Sequence, residues 1–246
     1  GALEKLAPAL LAGMPTIIKP ATPTAFLTEA MVRCIVESGI LPDGALQLVC
    51  GGVGDLFDHL GGQDLVGFTG SATTAAHLRA QPTLIKRSVR FNAEADSLNA
   101  AILGSAATPG TDEFDLFVAE VVREMTVKAG QKCTAIRRIL VPTPQLDTAT
   151  EAIASALAEV RTGDPTDEAT DMGALVGIAQ RNEVAAAVTT LRTAAEVVVD
   201  TCTFHEVDPS VGAFLAPTLL RATDPNAPAI HTTEAFGPVA TLVGYE

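Results

Sequence analysis

From residue 3 to residue 103 short β-branched apolar runs alternate with stretches of helical spacing, and this alternation limits the possible folds more than any other feature. Leu3, Leu6, Leu10 and Leu11 recur at helical intervals and Gly13 can close the helix, with Pro8 best placed in a first turn. Residues 16–19, Thr-Ile-Ile-Lys, are halted by Pro20, as expected of a buried parallel strand that ends in a loop. Residues 24–37 place Phe26, Leu27, Met31, Cys34 and Ile35 on one broad apolar face, with Gly39 beyond it. Further strands are expected at 45–50, 65–69 and 84–91, a short helix at 56–60, and a helix opening at Gly70-Ser71. Such alternation argues for an α/β, doubly wound sheet with right-handed crossovers, whose ligands bind outside the carboxyl ends of the strands. Gly51, Gly52 and Gly54 do not complete a dinucleotide fingerprint, because Phe57 stands where the last glycine belongs, and they read as a turn.

The domain over 1–96 passes without a Gly/Ser linker into a second α/β domain over 97–246, opened by an apolar strand at 100–103. Phe114, Phe117, Val118, Val121, Val122 and Met125 make 113–125 the best amphipathic helix of the chain. A strand is expected at 134–141, a helix at 146–160, a turn at Gly163-Asp-Pro165, a helix at 176–195, and strands at 197–199 and 214–220. With 246 residues the chain is long enough for two modest domains. A net charge of −13 repels a polyphosphate backbone, so nucleic acid is not expected as a partner. No apolar run approaches the roughly 20 residues of a membrane span, so a soluble protein and no membrane partner are expected. Glu4 and Lys5 interrupt the first apolar stretch, which is therefore no secretory signal, and without an initiating Met the chain reads as a piece of a longer protein. Cysteines 34, 50, 133 and 202 show neither C-x-x-C spacing nor paired histidines. This suggests no disulfide framework, no zinc site and a reducing, cytoplasmic setting. His59, His77, His205 and His231 are assigned to neither metal nor catalysis.

Cys133, in Ala129-Gly-Gln-Lys-Cys-Thr-Ala135, is the sharpest chemical signal. As a nucleophile it needs an exposed sulfur, a thiolate and donors for the oxyanion formed on a carbonyl. The plainer reading is a cysteine filling a small apolar space. Glu94, amid small residues after a strand, is a candidate semi-buried general base with a raised pKa, or an ordinary surface glutamate. Lys19 at a strand end can meet an anion or simply face solvent. Gly70 and Ser71 can present N–H groups and a hydroxyl to a phosphate, or Ser71 can cap a helix.

Taken together, Lys19-Pro20, Phe68-Thr-Gly-Ser71, Glu94, Gly130-Gln-Lys-Cys133 and Glu234-Ala-Phe-Gly-Pro238 are ordered as in the aldehyde dehydrogenase superfamily, which the chain resembles along essentially its whole length. Glu94-Ala-Asp-Ser97, where relatives commonly carry Glu-Leu-Gly-Gly, is most similar to the branch that acts in phenylacetate breakdown. The resemblance implies a Rossmann-type doubly wound coenzyme domain over 1–96 and a catalytic domain over 97–246, both incomplete in this chain. It implies oxidation of an aldehyde, in that branch a CoA-linked semialdehyde, to an acid through a Cys133 thioester that Glu94-activated water hydrolyses. Lys19 would bind the adenosine ribose or its phosphate, Gly70 and Ser71 the pyrophosphate, Glu234 the nicotinamide ribose, and Phe236 would lie beside the ring. Many relatives carry a glutamate where this chain has Thr22, so NADP is expected over NAD. Ala75 replaces a usual glycine and weakens the pyrophosphate assignment. Alternatives are a relative that passes its acyl group to coenzyme A, which Glu94 argues against, and a nucleotide-binding module without chemistry, which Cys133 and Glu94 argue against. A homo-oligomer is expected of the full-length protein. The family's second oxyanion donor is expected before Gly1, so the 246 residues alone are expected to be a poor enzyme.

Overall fold

A buried Leu6 sets helix α1, Ala2–Leu11, against the strands that follow it in the computed structural model, which describes residues 2–246. Pro8 lies in the interior of α1 and not in its first turn. It has no N–H to offer the turn before it, but the next bond survives, with Ala12 N–H donating to the Pro8 carbonyl at 3.0 Å. The chain divides into two units, Gly1–Asp96 and Ser97–Glu246.

In the first unit, β1 (Thr16–Ile18) and β2 (Leu46–Leu48) pair in parallel, joined through α2 (Ala25–Glu37). Leu6, Ile18, Val32 and Leu46 form the core there, with Met31 and Ile35 packed against them. The buried face of α2 is therefore centred on Val32. Phe26 and Leu27, expected inside, are 75% and 64% exposed. β3 (Leu65–Gly70) leads through α3 (Ala72–Arg79) and α4 (Pro82–Lys86) to β4 (Arg90–Ala95), again parallel to β3. The strand expected over 84–91 is thus wrong in its first part. Pro82 at the start of α4 has a preset helical φ, Leu84 is buried on that helix, and the chain turns through a left-handed Ser88 (φ 54°) before extending.

The second unit is built on five strands in the order β5-β6-β11-β10-β8: β5 (Asn99–Ile102), β6 (Ile136–Pro142), β8 (Ala195–Val199), β10 (Thr218–Ala222) and β11 (Val239–Tyr245). Only β8 runs antiparallel to its neighbour. Helices α5 (Asp112–Thr126), α6 (Leu146–Ala158), α7 (Ile178–Leu191) and α8 (Pro228–Thr232) lie between the strands in sequence. A small parallel pair, β7 (Arg161–Gly163) with β9 (Thr203–His205), stands apart. Thr111 caps α5 by accepting the Phe114 N–H, and Asp112, Glu113 and Asp115 occupy its first turn, where the helix dipole favours acids.

The sheet is covered on both faces. Leu219 and Leu242 belong to the core that holds Phe114, Val121, Met125, Ile153 and Leu157. Their immediate neighbours Leu220 and Val243 belong to a second core with Val184, Leu191 and Ile230. Adjacent residues reach opposite cores because strand side chains alternate, and this explains the unbroken apolar runs of β10 and β11. Burying each such side chain contributes about 1.5–3 kcal/mol. The expected helix over 176–195 ends at Leu191, and Ala195 already begins β8. β10 starts only after Pro217, which has no N–H for a ladder. β7, β9 and β11 were not anticipated. Among the described residues no helix is long and apolar enough to cross a membrane.

Candidate functional site

Cys133 is exposed, on a turn between α5 and β6. The approach to that turn is unusual, because Lys128, Ala129 and Gly130 all adopt left-handed φ values of 56°, 51° and 66°. This reverses the chain out of α5. Lys132 N–H donates to the Gly130 carbonyl at 2.9 Å and Ala135 N–H to the Lys132 carbonyl at 3.1 Å. The Cys133 carbonyl accepts from Ser97 Oγ and from Asn99 Nδ2, each at 2.6 Å, and Asn99 also donates to the Ala135 carbonyl at 3.1 Å. The Cys133 N–H has no acceptor among the described residues. A clamped carbonyl beside an open N–H and an exposed sulfur can hold a nucleophile and one oxyanion donor together.

Gln131 fastens the same loop, donating to the Lys128 carbonyl and accepting the Val176 N–H. Lys132 pairs with Glu124 at 2.7 Å. The loop also meets Gly237–Pro238 closely: a Cβ on Gly130 would lie 2.1 Å from the Gly237 carbonyl oxygen. Arg137, the second residue of β6, spans this contact. It is buried, and donates to the Gly237 carbonyl at 2.6 Å and to the Gly130 carbonyl at 2.8 Å. Its Nε lies 3.8 Å from Glu234 Oε1, and its guanidinium stands 5.5 Å from the Phe236 ring centroid. Burial pulls the Arg137 pKa below the usual arginine value, and the Glu234 charge opposes this. Glu234 also accepts the Ser97 N–H at 3.3 Å. Ser97, Cys133, Arg137, Glu234 and Phe236 therefore form one connected cluster.

In the first unit, Glu94 lies on β4 opposite Thr69 and not after the strand. Its side chain is 58% exposed, and its Oε2 accepts from Lys5 Nζ at 3.1 Å and from Thr69 Oγ1 at 3.4 Å. The expectation of a semi-buried carboxyl with a raised pKa is corrected. The Lys5 hydrogen bond and charge hold Glu94 below the usual glutamate value. Lys19 is half-buried at the end of β1, donates only to the Pro20 carbonyl at 3.2 Å, and pairs with no carboxylate among the described residues. An uncompensated ammonium there suits an anionic group. Thr22 opens an exposed short 3-10 turn after β1. Gly70 ends β3, and Ser71 caps α3 by accepting the Thr74 N–H at 3.2 Å. Asp96, left-handed at φ 47°, accepts the Ala72 N–H at 2.9 Å. The start of α3 thus already holds a carboxylate and fits a pyrophosphate less well than Lys19 fits a phosphate.

Sequence reasoning passed over Asn99, Lys5, Asp96 and the role of Arg137. Only Arg137 left a signal, as one of two adjacent charges, Arg137 and Arg138, in a strand that is otherwise apolar. His205 is less isolated than it looked: Asp167, His205 and Glu206 bring one ligand atom each within 4.8 Å, and His205 pairs with Asp167 at 3.2 Å.

A family model described as the aldehyde dehydrogenase family matches residues 2–246. The chain is 51% identical to a 3,4-dehydroadipyl-CoA semialdehyde dehydrogenase of Aromatoleum evansii, over 100% of this chain and 48% of that protein. It is 30% identical to a geranial dehydrogenase of Castellaniella defragrans, over 98% of this chain and 48% of that protein. A crystal structure of betaine aldehyde dehydrogenase from Staphylococcus aureus in complex with NAD+ superposes with a TM-score of 0.86 at 28% identity, covering 100% of this chain and 48% of that one. The chain spans about half the length of the relatives it matches.

Proposed function

Because the chain belongs to the aldehyde dehydrogenase family, we propose that it is the part of an NAD(P)-dependent aldehyde dehydrogenase that carries the nucleophile, and that the full-length enzyme oxidises a CoA-linked semialdehyde. The observation that carries the reading is the exposed Cys133, with its carbonyl clamped by Ser97 and Asn99 and its N–H left open. Cys133 Sγ adds to the aldehyde carbon, and its N–H donates to the oxygen that becomes negative. The nicotinamide coenzyme, when bound, supplies the hydride acceptor that turns this adduct into a thioester. Glu94 then takes a proton from the water that releases the acid. Its low pKa makes it a weak base but keeps it ionised at neutral pH. Glu234 and Phe236 would hold the nicotinamide end, Lys19 and Thr22 the adenosine ribose, and Gly70 and Ser71 the pyrophosphate. The region 1–96 is the proposed coenzyme domain and 97–246 the proposed catalytic domain.

NADP+ is placed ahead of NAD+ because Lys19 has no carboxylate partner and Thr22 adds no charge against a 2′-phosphate. NAD+ remains the second reading, favoured by its presence in the betaine aldehyde dehydrogenase structure. For the aldehyde, Glu94-Ala-Asp-Ser97 resembles the dehydrogenase half of the bifunctional oxepin-CoA hydrolase and 3-oxo-5,6-dehydrosuberyl-CoA semialdehyde dehydrogenase of phenylacetate breakdown. The relative at 51% identity favours instead 3,4-dehydroadipyl-CoA semialdehyde. Both are semialdehydes carried on CoA. The test is coenzyme reduction by the full-length protein with each of the two, and with a simple aldehyde. Preference for a CoA-linked substrate with NADP+ is expected. Equal turnover of the simple aldehyde would overturn the substrate class, and reduction of NAD+ alone would overturn the coenzyme choice.

A further inference from the structure

Arg137 bridges two segments for which the proposed chemistry gives different tasks, the nucleophile's loop and the segment from Glu234 to Pro238. One guanidinium donates to Gly130 on the first and to Gly237 on the second, at 2.8 and 2.6 Å, and a weaker third bond reaches the Lys132 carbonyl at 3.4 Å. The same group stands 3.8 Å from the Glu234 carboxylate and 5.5 Å from the Phe236 ring. Its Nε is buried without a hydrogen-bond partner, so the side chain is held by its two terminal nitrogens and aimed at the carboxylate without closing a second short bond. A residue needed only to fill the core would be apolar at this depth, because burying a guanidinium is unfavourable unless its donors are used. Lysine cannot take its place: an ammonium is a point charge, whereas the planar fork spans two carbonyls and stacks on a ring at once.

We propose that Arg137 is a positioning residue for the coenzyme, fixing Glu234 and Phe236 relative to the loop that carries Cys133. The role rests on the coenzyme reading above and acts through Glu234 and Phe236 without contact between Arg137 and substrate.

The test uses the full-length protein and its Arg137→Lys and Arg137→Gln variants, with NAD+ and NADP+ as probes. Calorimetric Kd, KM for coenzyme, KM for aldehyde, and the rate of Cys133 alkylation by iodoacetamide are measured together. Coenzyme Kd and KM are expected to rise by about tenfold or more in both variants, which is about 1.4 kcal/mol or more of coenzyme binding. Aldehyde KM is expected to change by less than about threefold, since Arg137 meets no substrate, and Cys133 alkylation without coenzyme is expected to change in rate as the Gly130 and Lys132 carbonyls lose their donor. A variant that loses thermal stability while its coenzyme Kd stays at the wild-type value would overturn the proposal, as would equal increases in both KM values. Hydrogen exchange of the wild-type protein needs no variant to fold. Saturating coenzyme is expected to slow exchange at 130–138 and at 234–239 together, and protection confined to 234–239 would overturn the coupling. If the wild type binds coenzyme but oxidises no aldehyde, the dehydrogenase reading fails while the Kd comparison still decides on Arg137.

Discussion

Replacing Gly130 by alanine tests the close approach on which the candidate site depends. Gly130 is left-handed at φ 66°, a conformation that adds about 1–2 kcal/mol for a residue with a Cβ. That part alone is tolerable here, since Lys128 and Ala129 already sit in the same region. The new methyl is the larger difficulty. It would lie 2.1 Å from the Gly237 oxygen, 2.5 Å from the Gly237 carbon and 2.9 Å from Pro238 N. All three are backbone atoms, so no rotamer relieves the contact and one of the two loops must move. Overpacking of this kind adds about 1–3 kcal/mol, giving a total of about 2–5 kcal/mol. Gly104 is the control, because a methyl added there would meet nothing within 4 Å and its φ is not left-handed. Denaturant unfolding of the full-length protein is the assay, with Gly130→Ala and Gly104→Ala in parallel. The Gly130 variant is expected to lose the stated stability and to raise coenzyme KM as the Gly237 carbonyl shifts. A difference between the two variants of less than about 0.5 kcal/mol would refute the geometry.

Lys5→Met removes the chief cause of the low Glu94 pKa, so the carboxyl should protonate at higher pH and the acidic limb of the pH–rate profile should move upward; an unmoved limb would show that Glu94 is not the titrating base. Thr22→Glu sets a carboxylate against a 2′-phosphate and should shift the ratio of kcat/KM values for NADP+ and NAD+ toward NAD+ by about tenfold or more; steady-state kinetics with both coenzymes reads it. Asn99→Ala leaves the Ala135 carbonyl without its side-chain donor and the Cys133 carbonyl with Ser97 alone, and should lower stability by about 1–3 kcal/mol and kcat with it, as thermal unfolding and turnover will show.

The parts of this molecule that could be read from the chain are those whose cause is local. Thr16-Ile-Ile, and Val66, Phe68 and Thr69 in β3, extend because β-branched and aromatic residues favour strands, and Ser71 caps α3 as a serine before a helix does. The amphipathic α5 was equally plain, since its stripe repeats at three and four residues. Leu84-Ile85 misled because a short apolar run looks alike on a helix and in a strand, and Pro82 was the deciding signal. β11 follows a Gly-Pro pair that reads as a turn, which concealed the strand behind it. The electrostatics were further out of reach. Glu94 owes its low pKa to Lys5, 89 residues away, and Arg137 meets the Gly237 carbonyl across 100 residues, and neither pairing leaves a periodic trace.

In the proposed reaction Cys133 carries the acyl group. The direct measurement is mass spectrometry of the full-length Glu94→Gln variant, quenched after mixing with coenzyme and a CoA-linked semialdehyde. Slowed hydrolysis should let a thioester accumulate, adding the acyl mass to the peptide that contains Cys133, and Cys133→Ala should show neither adduct nor coenzyme reduction. An adduct on another residue, or coenzyme reduction that persists in Cys133→Ala, would contradict the account.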